Sequence, residues 1–210
     1  QIVALLTLAA WVINELWHRR RRHRPFPIFI PLLLFVGVNI LGLTFAANKH
    51  YGTEVLGLTI FTMLVCWLVT QLVTTEQMLV RCIHVILVSA TIVSLFGMFQ
   101  FFGDFLGLPT SVTGLRALYT KEVFGFPRIQ STALEPLYFA NYLLLPLSIV
   151  LALYASRKTM LPRWVSFLLF GLFGTNLVLT VSRGGYLGFG VAVLAISILS
   201  FKRFVRPPVF

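Results

Sequence analysis

The chain has 210 residues, of which 58% are hydrophobic and only 11% charged, whereas soluble domains sit at roughly 45–50% apolar and about 25% charged. That excludes an ordinary soluble domain, and apolar runs near the ~20 residues that cross a bilayer core point to a polytopic helical membrane protein. The net charge of +11 does not imply nucleic acid as a partner, because the basic residues sit in short clusters between apolar runs, as orientation signals do.

The sequence opens on "QIVALLTLAAW", already inside an apolar segment and without Met, and closes on "KRFVRPPVF". Both ends read as cuts through a longer protein, and no cleavable signal peptide is apparent. The expected fold is all-α: one transmembrane bundle of about seven spans, at roughly 1–17, 26–46, 54–74, 82–102, 136–155, 164–181 and 185–201. After the first span, "HRRRRHR" (18–24) reads as an anchor on an anionic membrane face. The stretch "PFPIFIP" puts three prolines at the start and first turn of the second span, where a missing N–H matters least. His50 and His84 have no partner at metal-ligand spacing, and Cys66 and Cys82 form no disulfide framework. All four read as structural, the cysteines as packing residues.

Twelve basic residues fall in one set of loops: Arg19–Arg22, Arg24, Arg81, Arg157, Lys158, Arg163, Lys202, Arg203 and Arg206. Five fall in the alternate set: Lys49, Arg116, Lys121, Arg128 and Arg183. The first set is therefore expected in the cytoplasm. Arg183 and a long loop at 103–135 then share the outer face. Within that loop "SVTGLRALYTKEV" (111–123) has apolar residues at near-helical spacing and is expected to lie on the membrane as a short amphipathic helix.

Two constellations could carry chemistry. In "GFPRIQSTALEPLYFANYLLLPL" (125–147), Arg128 precedes a polar stretch, and Glu135–Pro136 opens a helix on which Asn141 also lies. Proline suits the first helical position and a carboxylate suits the positive helix end; the plain alternative is a capped helix whose Arg128 pairs with Glu135. Further on, "LVLTVSRGGYLGFGV" (177–191) lies within 164–201, 38 residues that exceed one crossing. "SRGG" should be the tip of a helical hairpin, with Gly184 and Gly185 permitting the reversal and Ser182 capping the next helix. Arg183 then stands beside free N–H groups at the positive end of a helix dipole, an anion site by construction. The plain alternative is an arginine snorkelling to lipid phosphates.

At these residues the sequence resembles the O-antigen ligase and polymerase superfamily of bacterial membrane glycosyltransferases. The resemblance rests on "RIQSTALEPLYFANYLLLPL" and on "LTVSRGGYL", which is similar to the family's T-x-S-R-G hairpin tip, and it covers about residues 80–201. It implies a multi-pass protein of the bacterial inner membrane with its active site facing the periplasm. It also implies transfer of a glycan from an undecaprenyl-diphosphate carrier to an acceptor, such as lipid A–core in lipopolysaccharide biosynthesis, with inversion at the anomeric carbon. Family arginines bind the donor diphosphate, a role carried here to Arg128 and Arg183, supported by Ser182, Gly184 and Glu135. Family members place a catalytic histidine in a large outer loop further along; no such loop occurs by residue 210, so the catalytic residue is unassigned and neither His50 nor His84 inherits it.

The chemistry agrees with that resemblance. Charge grows on the leaving diphosphate oxygens, and preorganised cations in a water-poor site stabilise it. Arginine stays protonated and holds phosphate in a bidentate fork. Two arginines and a helix N-terminus could replace a divalent metal, so no metal or other cofactor is expected. The competing expectations are a polymerase of the same superfamily, a transporter for an anionic lipid or solute, and a non-catalytic subunit whose arginines only touch headgroups.

Overall fold

A computed structural model describes residues 2–17, 26, 28–116, 125, 127–155 and 160–205. Among the described residues it is all-helical, with no strand. Three helices are long and apolar enough to cross a membrane: Lys49–Leu72, Glu76–Phe105 and Pro136–Ala155. The remaining apolar helical stretches, Val3–Glu15, Phe29–Thr44, Arg163–Leu179 and Arg183–Leu199, are shorter.

The chain divides into two compact units, Gln1–Leu79 and Val80–Phe210. In the first, α1 (Ile2–Trp17) and α2 (Phe29–Thr44) both pack on α3 (Lys49–Leu72). Pro31 falls in the first turn of α2, as its missing N–H requires. Asn48 caps α3 by accepting from the Tyr51 amide at 3.1 Å, which starts that helix five residues before the apolar run suggests. Trp11 meets Trp67 edge to face with ring centroids 4.8 Å apart, and Leu43 packs directly over Gly52. No residue of α2 is buried, and Leu68 is the buried residue of α3. Helices that turn apolar side chains outward all round are stable where the surroundings are themselves apolar, which is the lipid solution.

The second unit holds the core. It contains most of α4 (Glu76–Phe105), then α5 (Thr110–Thr113), α6 (Pro136–Ala155), α7 (Arg163–Leu179) and α8 (Arg183–Val205). Leu87 and Ala90 of α4, Phe139, Leu143 and Leu147 of α6 and Phe173 and Leu177 of α7 form one buried cluster around the loop residue Ile129. The register of α6 and α8 follows from the glycines. Gly184 faces Leu137, Gly185 faces Ala140 and Gly188 faces Leu144. Residue number rises together on both helices, so they run parallel with their N-termini side by side. By contrast, Gly185 also faces Leu177, and Phe170 meets Phe189 at 6.2 Å, so α7 and α8 form an antiparallel hairpin.

Two segments differ from the sequence expectation. The helix expected over 111–123 is a single turn, Thr110–Thr113, because Gly114 takes a left-handed conformation (φ 68) and ends it; residues 117–123 of that expectation lie outside the described residues. The loop expected from residue 103 starts later, because α4 continues to Phe105.

Candidate functional site

The hairpin between α7 and α8 turns within three residues, Thr180 to Ser182. Ser182 is buried, and its hydroxyl accepts from the Gly185 amide at 3.3 Å while its carbonyl accepts from the Tyr186 amide at 3.0 Å. That is the N-cap arrangement. Arg183 is thus the first residue of α8, exposed, on the turn whose amides have no helical acceptor.

The reversal itself is made differently from the expectation. Neither Gly184 nor Gly185 takes a left-handed conformation; Val181 does (φ 47). A β-branched residue there is strained. Gly185 serves the packing of α8 instead. A Cβ on Gly185 would stand 2.7 Å from the Ala140 Cβ and 3.1 Å from Leu177, so its absence lets α8 close onto α6 and α7. Gly184 is exposed, with Leu137 at 3.5 Å from where its Cβ would be.

The last carbonyls of α7, which a helix leaves without partners, draw the other constellation in. Tyr186 donates its hydroxyl to the Val178 carbonyl at 2.6 Å. The Ile129 amide donates to the Leu179 carbonyl at 3.2 Å. Arg128 donates Nε to the Thr180 carbonyl at 3.2 Å. A guanidinium also suits the negative end of the α7 dipole. Arg128 is half-buried there, three residues along the chain from Arg183 through that bond.

On the opposite side, α4 holds the same segment. The Gln100 carboxamide oxygen accepts from the Ser131 amide at 2.7 Å and the Gln130 amide at 3.3 Å, and its nitrogen donates to the Ser131 carbonyl at 3.1 Å. Ser131, itself left-handed (φ 50), donates its hydroxyl to the Val93 carbonyl at 2.6 Å, and Gln130 donates Nε2 to the Gly114 carbonyl at 3.3 Å. Non-helical backbone survives inside an apolar bundle only where protein satisfies its polar groups. The backbone here meets that condition through the Gln100 side chain and the Leu179 carbonyl, while Gln130 Oε1 is buried without a partner.

Glu135 then closes the segment. It is half-buried, and its carbonyl accepts from the amides of Tyr138 and Phe139 at 3.1 and 3.2 Å, with Pro136 first in α6 as expected. Since α6 and α8 run parallel, two helix N-termini lie side by side, with Arg183 first in α8 and Arg128 bonded to the Thr180 carbonyl of the turn before it. Each contributes the positive end of a dipole, although Pro136 brings no N–H and the Gly185 and Tyr138 amides are already taken by Ser182 and Glu135. The arrangement suits an anion with several oxygens.

Of the residues the sequence singles out, Arg128, Arg183, Ser182, Gly184 and Glu135 come to this one end of the second unit. Asn141 is exposed on α6. Cys66 and Cys82 are exposed and do not pack in a core, which corrects their expected role. His50 does not stand alone: its Nδ1 lies 3.4 Å from Glu54 one turn along α3, both exposed. His84 bonds the Val80 carbonyl of its own helix at 2.8 Å. Among the described residues no three of His, Cys, Asp and Glu gather as metal ligands do. Sequence reasoning missed Gln100, Thr180 and the buried Asn176. The available signal was polarity: an amide side chain within an apolar helix must find a partner. Compared with family models, curated protein sequences and solved structures, the chain gives no significant match.

Proposed function

We propose that the chain carries the donor site of a bacterial membrane glycosyltransferase of O-antigen-ligase type. In this reading all seven long helices cross the inner membrane as a seven-span bundle, with the basic loops cytoplasmic and the 180–183 hairpin tip facing the periplasm. The donor is a glycan on undecaprenyl diphosphate. The acceptor, such as lipid A–core, presents a hydroxyl that attacks the anomeric carbon as the bond to the diphosphate oxygen breaks. Negative charge then grows on the leaving diphosphate.

One observation carries the reading: the bonds from Arg128 to Thr180 and from Ile129 to Leu179 bring the first arginine to the hairpin tip that bears the second. Arg183 and the first-turn amides of α8 that Ser182 does not take would hold the diphosphate, with Arg128 beside them. Placed before the substrate arrives, these groups need no reorganisation as charge develops. A lipid-borne donor would also reach an end of the bundle without leaving the bilayer. The Arg128–Thr180 bond equally supports a second reading, in which Arg128 caps α7 and the site binds headgroups without chemistry.

Transfer in vitro separates the two. Wild type is given an undecaprenyl-diphosphate glycan and lipid A–core in EDTA, beside Arg128→Ala, Arg183→Ala and Arg183→Lys. The expected result is product with wild type, loss of at least tenfold in both alanine variants, and a clear defect in Arg183→Lys, which lacks the planar fork. Elongated carrier-linked glycan in place of lipid A–core product would assign a polymerase. Wild-type product undiminished in the three variants would refute the assignment of the arginines.

A further inference from the structure

We propose that Gln100 is a positioning residue: its carboxamide sets the backbone of residues 129–131 and, through it, the place of Arg128 at the hairpin tip. This rests on the reading of that tip as a diphosphate site. Gln100 is fully buried, and it lies in the last third of a helix otherwise rich in apolar residues. Its one amide group supplies two acceptor bonds and one donor bond to two consecutive loop residues. A side chain here takes the place of a neighbouring strand, pairing with backbone on both its donor and its acceptor side.

The neighbouring packing points the same way. Three residues before Gln100, a Cβ on Gly97 would overlap Asn176 Oδ1 and stand 3.3 Å from Ile129 Cδ1, so the glycine lets the 129–131 segment and α7 seat against α4. The segment is therefore held from α4 by Gln100 and Val93 and from the end of α7 by Leu179 and Thr180. Arg128 sits next to Ile129 at the α7 side. With Gln100 replaced by an apolar side chain, two amides and a carbonyl inside the bundle lose their partner, and a backbone left so must move to find others.

The test is a double-mutant cycle on undecaprenyl diphosphate binding to the protein in nanodiscs, with wild type, Gln100→Leu, Arg128→Ala and the double variant. Gln100→Leu is expected to weaken binding roughly tenfold, the order expected when a bond to a charged group is lost, and to change affinity less than about twofold once Arg128 is already alanine. Wild-type affinity in Gln100→Leu, or a further full loss on the Arg128→Ala background, would overturn the positioning role while leaving the site intact. No binding by wild type, or none lost in Arg128→Ala, would overturn the site and the role of Gln100 with it. Should Gln100→Leu not fold, hydrogen exchange on wild type decides: the Gln130 and Ser131 amides are expected to be protected well beyond that of Gly125 in the same loop, and equal exchange would refute the clamp.

Discussion

Replacing Gly185 by alanine tests whether α6 and α8 meet as closely as the site requires. The added Cβ would lie 2.7 Å from the Ala140 Cβ and 3.1 Å from Leu177 Cδ1, against a comfortable carbon–carbon separation of roughly 3.5–4.0 Å. Leu177 has rotamers with which to yield, but Ala140, fully buried, has none. The helices must part, and overpacking of this kind costs about 1–3 kcal/mol. Alanine's better helix propensity returns roughly 1 kcal/mol, which leaves a net destabilisation of up to about 2 kcal/mol. Gly190→Ala supplies the control, because nothing lies within 4 Å of its Cβ position and propensity alone should act, stabilising by roughly 0.5–1 kcal/mol. The assay is reversible unfolding in mixed micelles of a mild detergent and dodecyl sulfate, followed by loss of helical circular dichroism. Gly185→Ala unfolding at the same or higher dodecyl sulfate fraction than Gly190→Ala would refute the parallel contact, and with it the side-by-side N-termini.

The hairpin tip gives two further expectations in the same assay. Val181→Asn should raise stability by about 0.5–1 kcal/mol, because asparagine tolerates the left-handed conformation that costs valine roughly 1–2 kcal/mol; a loss of stability would show that Val181 is not strained. Ser182→Ala removes the acceptor for the Gly185 amide and should cost about 1 kcal/mol, with Ser182→Asp restoring most of it. Equal stability of wild type and Ser182→Ala would remove the N-cap from the account.

Local features were legible in the sequence and distant ones were not. Pro136 and Ser182 start their helices where expected because a cap depends only on the next few residues. The apolar segments were likewise visible from composition alone. Val181 was hidden by its neighbours: the Gly-Gly pair is the usual device for a reversal, and nothing local shows that Gly185 is needed against α6 while a valine takes the strain. The clamp from Gln100 joins residues about thirty positions apart, and a single polar residue in an apolar helix says that a partner exists without naming it. The convergence of Arg128 on Arg183 sits between these cases. Loop charge led to the expectation that both share one face, but the bond of Arg128 to Thr180 depends on how the end of α7 satisfies its carbonyls.

The central claim is that Arg128 and Arg183 hold one diphosphate. The most direct measurement is the affinity of undecaprenyl diphosphate and of undecaprenyl monophosphate for wild type, Arg128→Ala, Arg183→Ala and the double variant in nanodiscs of zwitterionic lipid. The account predicts that wild type prefers the diphosphate, that each alanine variant loses roughly tenfold or more, and that the double variant loses less than the two losses combined, because both residues serve one ligand. Equal affinity for the two lipids, unchanged in all three variants, would contradict it and leave the arginines as anchors to lipid headgroups.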